Sequence, residues 1–205
     1  EFAVAGEGGR IQLWSATTGE LLMSLSSHET EVRSLAFSPD GGHLAAAHGD
    51  GNVRIWHLQR RQLWQTLGGH VGGVNSVAFS PDGTLVLTAG AEGQVKLRRA
   101  ADGRELLSIP PKYREAFSAR FSPDASRLVG GFESAVVVYR ADSGAEILTL
   151  PNVFRVRSAG FSPDSRWILA ASSEKSVLRW NARTGESASP LVGHTRVVYA
   201  ANYSP

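Results

Sequence analysis

The sequence predicts an all-β fold, a β-propeller of four-stranded antiparallel blades, on three observations. A Phe-Ser-Pro-Asp motif returns at nearly fixed intervals, each interval holds four short strand patterns, and nothing in the chain reads as a helix. Self-similarity at such a period outranks any local reading, because each copy is one supersecondary unit that buries its apolar face only against its neighbours.

The motif is Phe37-Ser38-Pro39-Asp40-Gly41, repeated as Phe79-Ser80-Pro81-Asp82-Gly83, Phe121-Ser122-Pro123-Asp124, Phe161-Ser162-Pro163-Asp164 and a truncated Tyr203-Ser204-Pro205, at spacings of 42, 42, 40 and 42 residues. Proline fixes φ for the second position of a type I turn, with Ser before it and Asp after it, so the motif is a tight link between two strands. The first strand of each unit precedes it, with apolar residues at Val32, Leu35 and Phe37, at Val74, Val77 and Phe79, and at Val156, Ala159 and Phe161. Their i, i+3, i+5 spacing breaks a strict period of two once, as a β-bulge would. A second strand of small apolar residues follows the turn (44–47, 85–89, 128–131, 167–171). The third is Val53-Arg54-Ile55-Trp56, echoed at 11–14, 95–98, 136–139 and 177–180, and the fourth lies at 21–25, 62–67, 106–109 and 147–150. This makes five blades' worth of sequence, twenty strands, in a single domain over 1–205. Its repeats are about 28–69, 70–111, 112–151 and 152–193, with 194–205 plus 1–27 forming the remaining blade.

Gly69-His70 and Gly193-His194 stand before a first strand, Ser27-His28 occupies the same place, and Leu13-Trp14, Ile55-Trp56 and Arg179-Trp180 close third strands. With Ser-Pro-Asp-Gly between them, these features resemble the tryptophan-aspartate (WD) repeat β-propellers over the whole chain. The aspartate of the family name is missing, since Ser15, His57, Arg99, Arg140 and Asn181 follow the aromatic position. The resemblance gives His28, His70 and His194 a structural role, in which the ring bonds a strand hydroxyl and a turn carboxylate and links outward to the third-strand Trp. No unit is complete. One has His28, Asp50 and Trp56 but Ala46 in place of the hydroxyl; the next has His70, Thr88 and Glu92 but Arg98 in place of Trp. Lys112 and Asn152 replace His in the following two, and Gly8 replaces the acid near Trp14. Trp14, Trp56, Tyr139 and Trp180 share one register and read as core or blade-to-blade contacts.

Two readings of the ends stay open. The first strand ending at Tyr203 would pair with the second strand begun at Phe2 and close a ring, hiding both sheet edges. Alternatively both ends cut through motifs of a longer chain, with closure by missing blades or by a second copy; the longer chain is the expectation here.

Composition is that of an ordinary globular domain, with 42% apolar and 20% charged residues. No apolar run of membrane-spanning length exists, and a net charge of +2 with no aromatic residues interleaved among basic ones argues against nucleic acid. The chain has no cysteine, in keeping with a cytoplasmic setting, and its 18 Arg against 3 Lys are in keeping with a bacterial genome. Subtraction of the repeat positions leaves no aspartate and only scattered glutamates, so catalytic residues, cofactors and metal ligands are expected to be absent. His43, His48 and His57 are left over as well and read as exposed strand-end histidines.

What remains for function is the set of loops leading into the first strands, which emerge on one face around the channel. They carry Glu29, Glu31, Tyr113, Arg114, Glu115, Phe154, Arg155 and Arg196. Singly these read as solvated charges; together they read as a surface for a partner protein or peptide, with Tyr and Arg as anchors and mixed charge for orientation. The expectation is a non-catalytic interaction scaffold. The alternatives are an oligomerisation or regulatory module of a larger signalling protein and, behind it, a propeller enzyme.

Overall fold

The computed structural model describes residues 1–6, 8–26, 30–150 and 153–204. Glu7, Ser27, His28, Glu29, Pro151, Asn152 and Pro205 therefore lie outside the described residues, and with them the expectations placed on His28 and Glu29. Among the described residues there are nineteen strands and no helix. The first sheet has three, β1 (Phe2–Ala5), β2 (Arg10–Trp14) and β3 (Leu21–Ser26). The second holds β4 (Val32–Phe37), β5 (His43–His48), β6 (Val53–His57) and β7 (Gln62–Leu67), and the third β8 (Val74–Phe79), β9 (Leu85–Gly90), β10 (Val95–Arg99) and β11 (Glu105–Ile109). The fourth holds β12 (Ala116–Phe121), β13 (Arg127–Phe132), β14 (Val136–Arg140) and β15 (Glu146–Leu150), and the fifth β16 (Val156–Phe161), β17 (Trp167–Ser172), β18 (Val177–Asn181) and β19 (Ser187–Leu191). Every sheet is an antiparallel meander in chain order.

The turn motif folds as its residues dictate. Gly41 N–H donates to Ser38 C=O at 2.9 Å across Pro39, Ser38 Oγ–H donates to Asp40 Oδ1 at 2.5 Å, and Gly42 N–H donates to the same oxygen at 2.9 Å. Ser80/Asp82, Ser122/Asp124 and Ser162/Asp164 repeat the arrangement. These hydroxyl and backbone donors hold all four Asp carboxyls below their ordinary pKa. The expected bulge is present too: pairing slips between Val32 and Ser34, Val74 and Ser76, Ala116 and Ser118, and Val156 and Ser158.

Apolar clusters fill the gaps between successive sheets. Leu13, Leu44 and Trp56 lie between the first two, Ile55, Val74 and Val86 between the next two, Leu87, Leu128 and Tyr139 next, and Val138, Ile168 and Trp180 last. Each large apolar side chain so buried contributes roughly 1.5–3 kcal/mol, and it does so only because a neighbouring sheet covers it. Innermost strands β4, β8, β12 and β16 stand side by side in that order around one axis.

The expectation of twenty strands is corrected to nineteen. Residues 197–203 form no strand; Val198 is buried against Leu169, Ala171 and Val177 of the fifth sheet, with Ala201 and Tyr203 beside it. Contact with that sheet covers Val198, Ala201 and Tyr203 without a ladder to β1, while Val197 and Tyr199 stay exposed. The outer edge of β1 has no paired strand among the described residues, Phe2 and Val4 are 45% and 49% exposed, and no cluster joins the first sheet to the fifth.

Candidate functional site

The bulge in each innermost strand decides what lines the channel. A bulge leaves one residue unpaired and re-aims its side chain. The extra residues here are Arg33, Asn75, Phe117 and Arg157, and Tyr199 holds the same place after Val198. All five border a cavity of about 390 Å³, together with Glu31 and Glu115 from the preceding loops.

Within the cavity the acids already have partners. Arg33 Nε donates to Glu31 Oε2 at 3.2 Å and Arg33 Nη1 to Asn75 Oδ1 at 3.0 Å, while Asn75 Nδ2 donates to Glu115 Oε1 at 3.2 Å and to Ala116 C=O at 3.0 Å. Three blades are thus laced together. Arg157 differs: its guanidinium lies over the Phe117 ring at 4.8 Å and near Tyr199 at 5.9 Å, and its buried Nε meets no acceptor. On β12, Arg120 Nη1 donates to Ser76 Oγ at 3.3 Å and Val77 C=O at 3.2 Å.

Of the rim residues chosen from sequence, Glu31 and Glu115 border this cavity. Glu31, Arg114, Arg155 and Arg196 are exposed, and Phe154 is 52% exposed. Arg155 adopts φ +49°, held there by its N–H bond to Glu133 C=O at 2.6 Å. Tyr113 is half-buried, its ring 5.1 Å from that of Phe132, so it belongs partly to the core. Glu115 faces Asn75 and joins the channel rather than the open rim.

Among the described residues the structural histidine is seen in one blade. His70 Nε2 lies 2.7 Å from Thr88 Oγ1 and Nδ1 lies 2.5 Å from Glu92 Oε1. Burial pushes the His70 pKa below its ordinary value, outweighing the hydrogen bond to Glu92 that raises it. Asp50 instead accepts from Arg54 Nη2 at 2.7 Å; burial raises its pKa, but the Arg54 and Asn52 bonds prevail and hold it at about 2. His194 is exposed and makes no such bonds among the described residues. Trp56 and Trp180 are buried in the inter-sheet clusters and Trp14 is half-buried beside β1. One expectation is corrected: His48 is fully buried, because it ends a second strand of small residues, while His43 packs against His57 and Trp64 with ring centres 5.0 and 4.4 Å away. Among the described residues no three of His, Asp and Glu stand together as metal ligands would.

Comparison with known families decides the identity. The family model described as WD domain, G-beta repeat matches residues 19–57, 61–98 and 146–181, just over half of the chain. The chain belongs to the WD-repeat family. Members of that family generally mediate protein–protein interaction. A Neurospora crassa protein named Periodic tryptophan protein 2 homolog is 52% identical over 40 residues, which is 20% of this WD-repeat chain and 4% of that protein's length. The matched repeats include the blade in which His70 bonds Thr88 and Glu92, whereas the unmatched stretch 99–145 has Lys112, Gly130 and Tyr139 at the His, hydroxyl and Trp positions.

Sequence reasoning missed the channel set Arg33, Asn75, Phe117, Arg157 and Tyr199. The signal for them was available: each is the residue skipped where the first strand's period of two breaks.

Proposed function

We propose that this WD-repeat chain is a non-catalytic scaffold that binds a partner protein or peptide on the face formed by the loops around the channel mouth, in the cytoplasm. The observation that supports this reading is a cavity lined by charged and aromatic side chains from five successive units, with exposed Arg155, Arg196 and Phe154 on the loops leading into the same innermost strands. Aromatic and Arg side chains around a concave surface are what protein-binding anchors require. A random 12-residue peptide library displayed on phage, panned on the chain, tests it. Enriched peptides should bind the wild type and lose at least about tenfold on a Phe154→Ala, Arg155→Glu, Arg196→Glu variant, a loss of about 1.4 kcal/mol. Equal binding to both, with the variant's melting temperature unchanged, removes this face from consideration.

The bare edge of β1 favours a second reading, self-association. Ala5 pairs with Ile11 as Ala89 pairs with Val95, so residues 198–203 of a second copy would add to β1 with Ala200 opposite Ala5, covering Phe2 and Val4. Light scattering distinguishes the two: a species of about 22 kDa at all concentrations excludes self-association.

A further inference from the structure

The channel cavity holds mixed charge, but the charges are not equally occupied. Glu31 is held by Arg33 at 3.2 Å, and Glu115 accepts from Asn75, itself bonded to Arg33. Arg157 has no ion-pair partner among the described residues, and its Nε–H is buried without an acceptor. Its Nη groups also have no acceptor among the described residues, and these, rather than the buried Nε, are the donors an incoming acceptor can reach. Phe117 covers one side of the guanidinium at 4.8 Å and Tyr199, itself 69% exposed, stands 5.9 Å away. Stacked rings fix the plane of the fork, and a planar fork held this way matches a carboxylate through two parallel N–H bonds. The cavity is thus lined by two guanidinium groups and two carboxylates, and of these Arg157 alone has no hydrogen-bond partner among the described residues.

We propose that Arg157, between Phe117 and Tyr199 in the channel mouth, is the anchor for an Asp or Glu carboxylate of the partner peptide. This rests on the reading of the loop face as a peptide-binding surface, and it adds the chemistry the peptide must bring. A cationic side chain is the competing occupant, since Glu31 and Glu115 each keep a second carboxylate oxygen beyond the one bonded to Arg33 or Asn75, and the composition of the selected peptides decides between the two.

The test uses the same 12-residue phage library on the full chain, followed by fluorescence polarisation with the enriched peptides as synthetic probes. The expected result is one aligned acidic position among the peptides. Replacing it by its amide should weaken binding to the wild type about tenfold or more, with Arg157→Gln weakening the parent peptide by a similar factor and the two changes together adding little. Should Arg157→Gln fail to fold, the amide peptide on the wild type decides alone. Peptides enriched in Lys or Arg, or peptides indifferent to both changes, overturn the assignment. Peptides that lose binding on the Phe154, Arg155 and Arg196 variant but not on Arg157→Gln would keep the loop-face reading and remove Arg157; a library that enriches nothing on the wild type removes both.

Discussion

Replacing Thr88 by Val tests the hydrogen-bond chain that ties a loop to its blade. The Thr88 hydroxyl is completely buried and lies 2.7 Å from His70 Nε2, while Nδ1 faces Glu92 at 2.5 Å. With the His70 pKa held down by burial, the ring is neutral at pH 7, so Nδ1–H donates to Glu92 and Nε2 accepts from the Thr88 hydroxyl. Valine keeps the shape of threonine and removes the one donor this ring nitrogen has among the described residues. The buried acceptor then goes unmet at a cost of about 1–3 kcal/mol. With a urea m-value of roughly 2 kcal/mol per molar, the unfolding midpoint should fall by about 0.5–1.5 M. Because a repeat array is stabilised mainly between nearest neighbours, hydrogen exchange should quicken in residues 69–73, the loop leading into β8, and stay unchanged in β17 and β18. A midpoint that does not move, or exchange that quickens equally in the fifth sheet, would refute the argument.

Other outcomes follow from the same geometry. A depressed His70 pKa means that the unfolded chain binds more protons near its ordinary value of about 6.5, so stability is fully present above that pH and is lost as pH falls below it; urea midpoints between pH 8 and 5 should decline in the wild type and lose much of that slope in His70→Gln. Gly93 has φ +86° and an added Cβ would strike the Tyr113 carbonyl oxygen, whereas Gly8, at φ +84°, has nothing within 4 Å. Gly93→Ala should therefore destabilise clearly more than Gly8→Ala, for which only the roughly 1–2 kcal/mol of left-handed backbone is at stake, as thermal melts would register.

The repeat architecture was legible because it is written locally. Ser-Pro-Asp selects its turn by φ and by side-chain donors, and the broken period of two announced a bulge that the pairing of Val32, Ser34 and their counterparts bears out. Two things escaped. The fate of residues 197–203 depends on whether their apolar side chains find the fifth sheet or the edge of β1, and alternation alone is equally compatible with both. The burial of His48 and the half-burial of Tyr113 depend on neighbours supplied by other segments, Trp56 and Phe132 among them. Site residues were sought in the loops, where charge stood out, while the bulge residues sat inside strands and were read only for spacing.

The channel lining has a further dependence, on three serines that follow the bulge. Val77 N–H donates to Ser34 Oγ at 3.3 Å, Ala119 N–H to Ser76 Oγ at 3.4 Å and Ala159 N–H to Ser118 Oγ at 3.1 Å, so each innermost strand is docked to the one before it by a side-chain acceptor. Ser118→Ala would leave the buried Ala159 N–H unmet, at about 1–3 kcal/mol, two residues from Arg157. It should weaken any ligand held by Arg157 without touching it. Ser76 and Ser118 act on the same strand, β12, through adjacent residues, whereas Ser34 and Ser118 share no strand and no partner. A double-mutant cycle should therefore find coupling above about 0.5 kcal/mol for Ser76→Ala with Ser118→Ala, and additivity within that margin for Ser34→Ala with Ser118→Ala. If the distant pair couples as strongly as the adjacent one, the innermost strands respond as a single rigid ring and the neighbour-by-neighbour account of the channel is wrong.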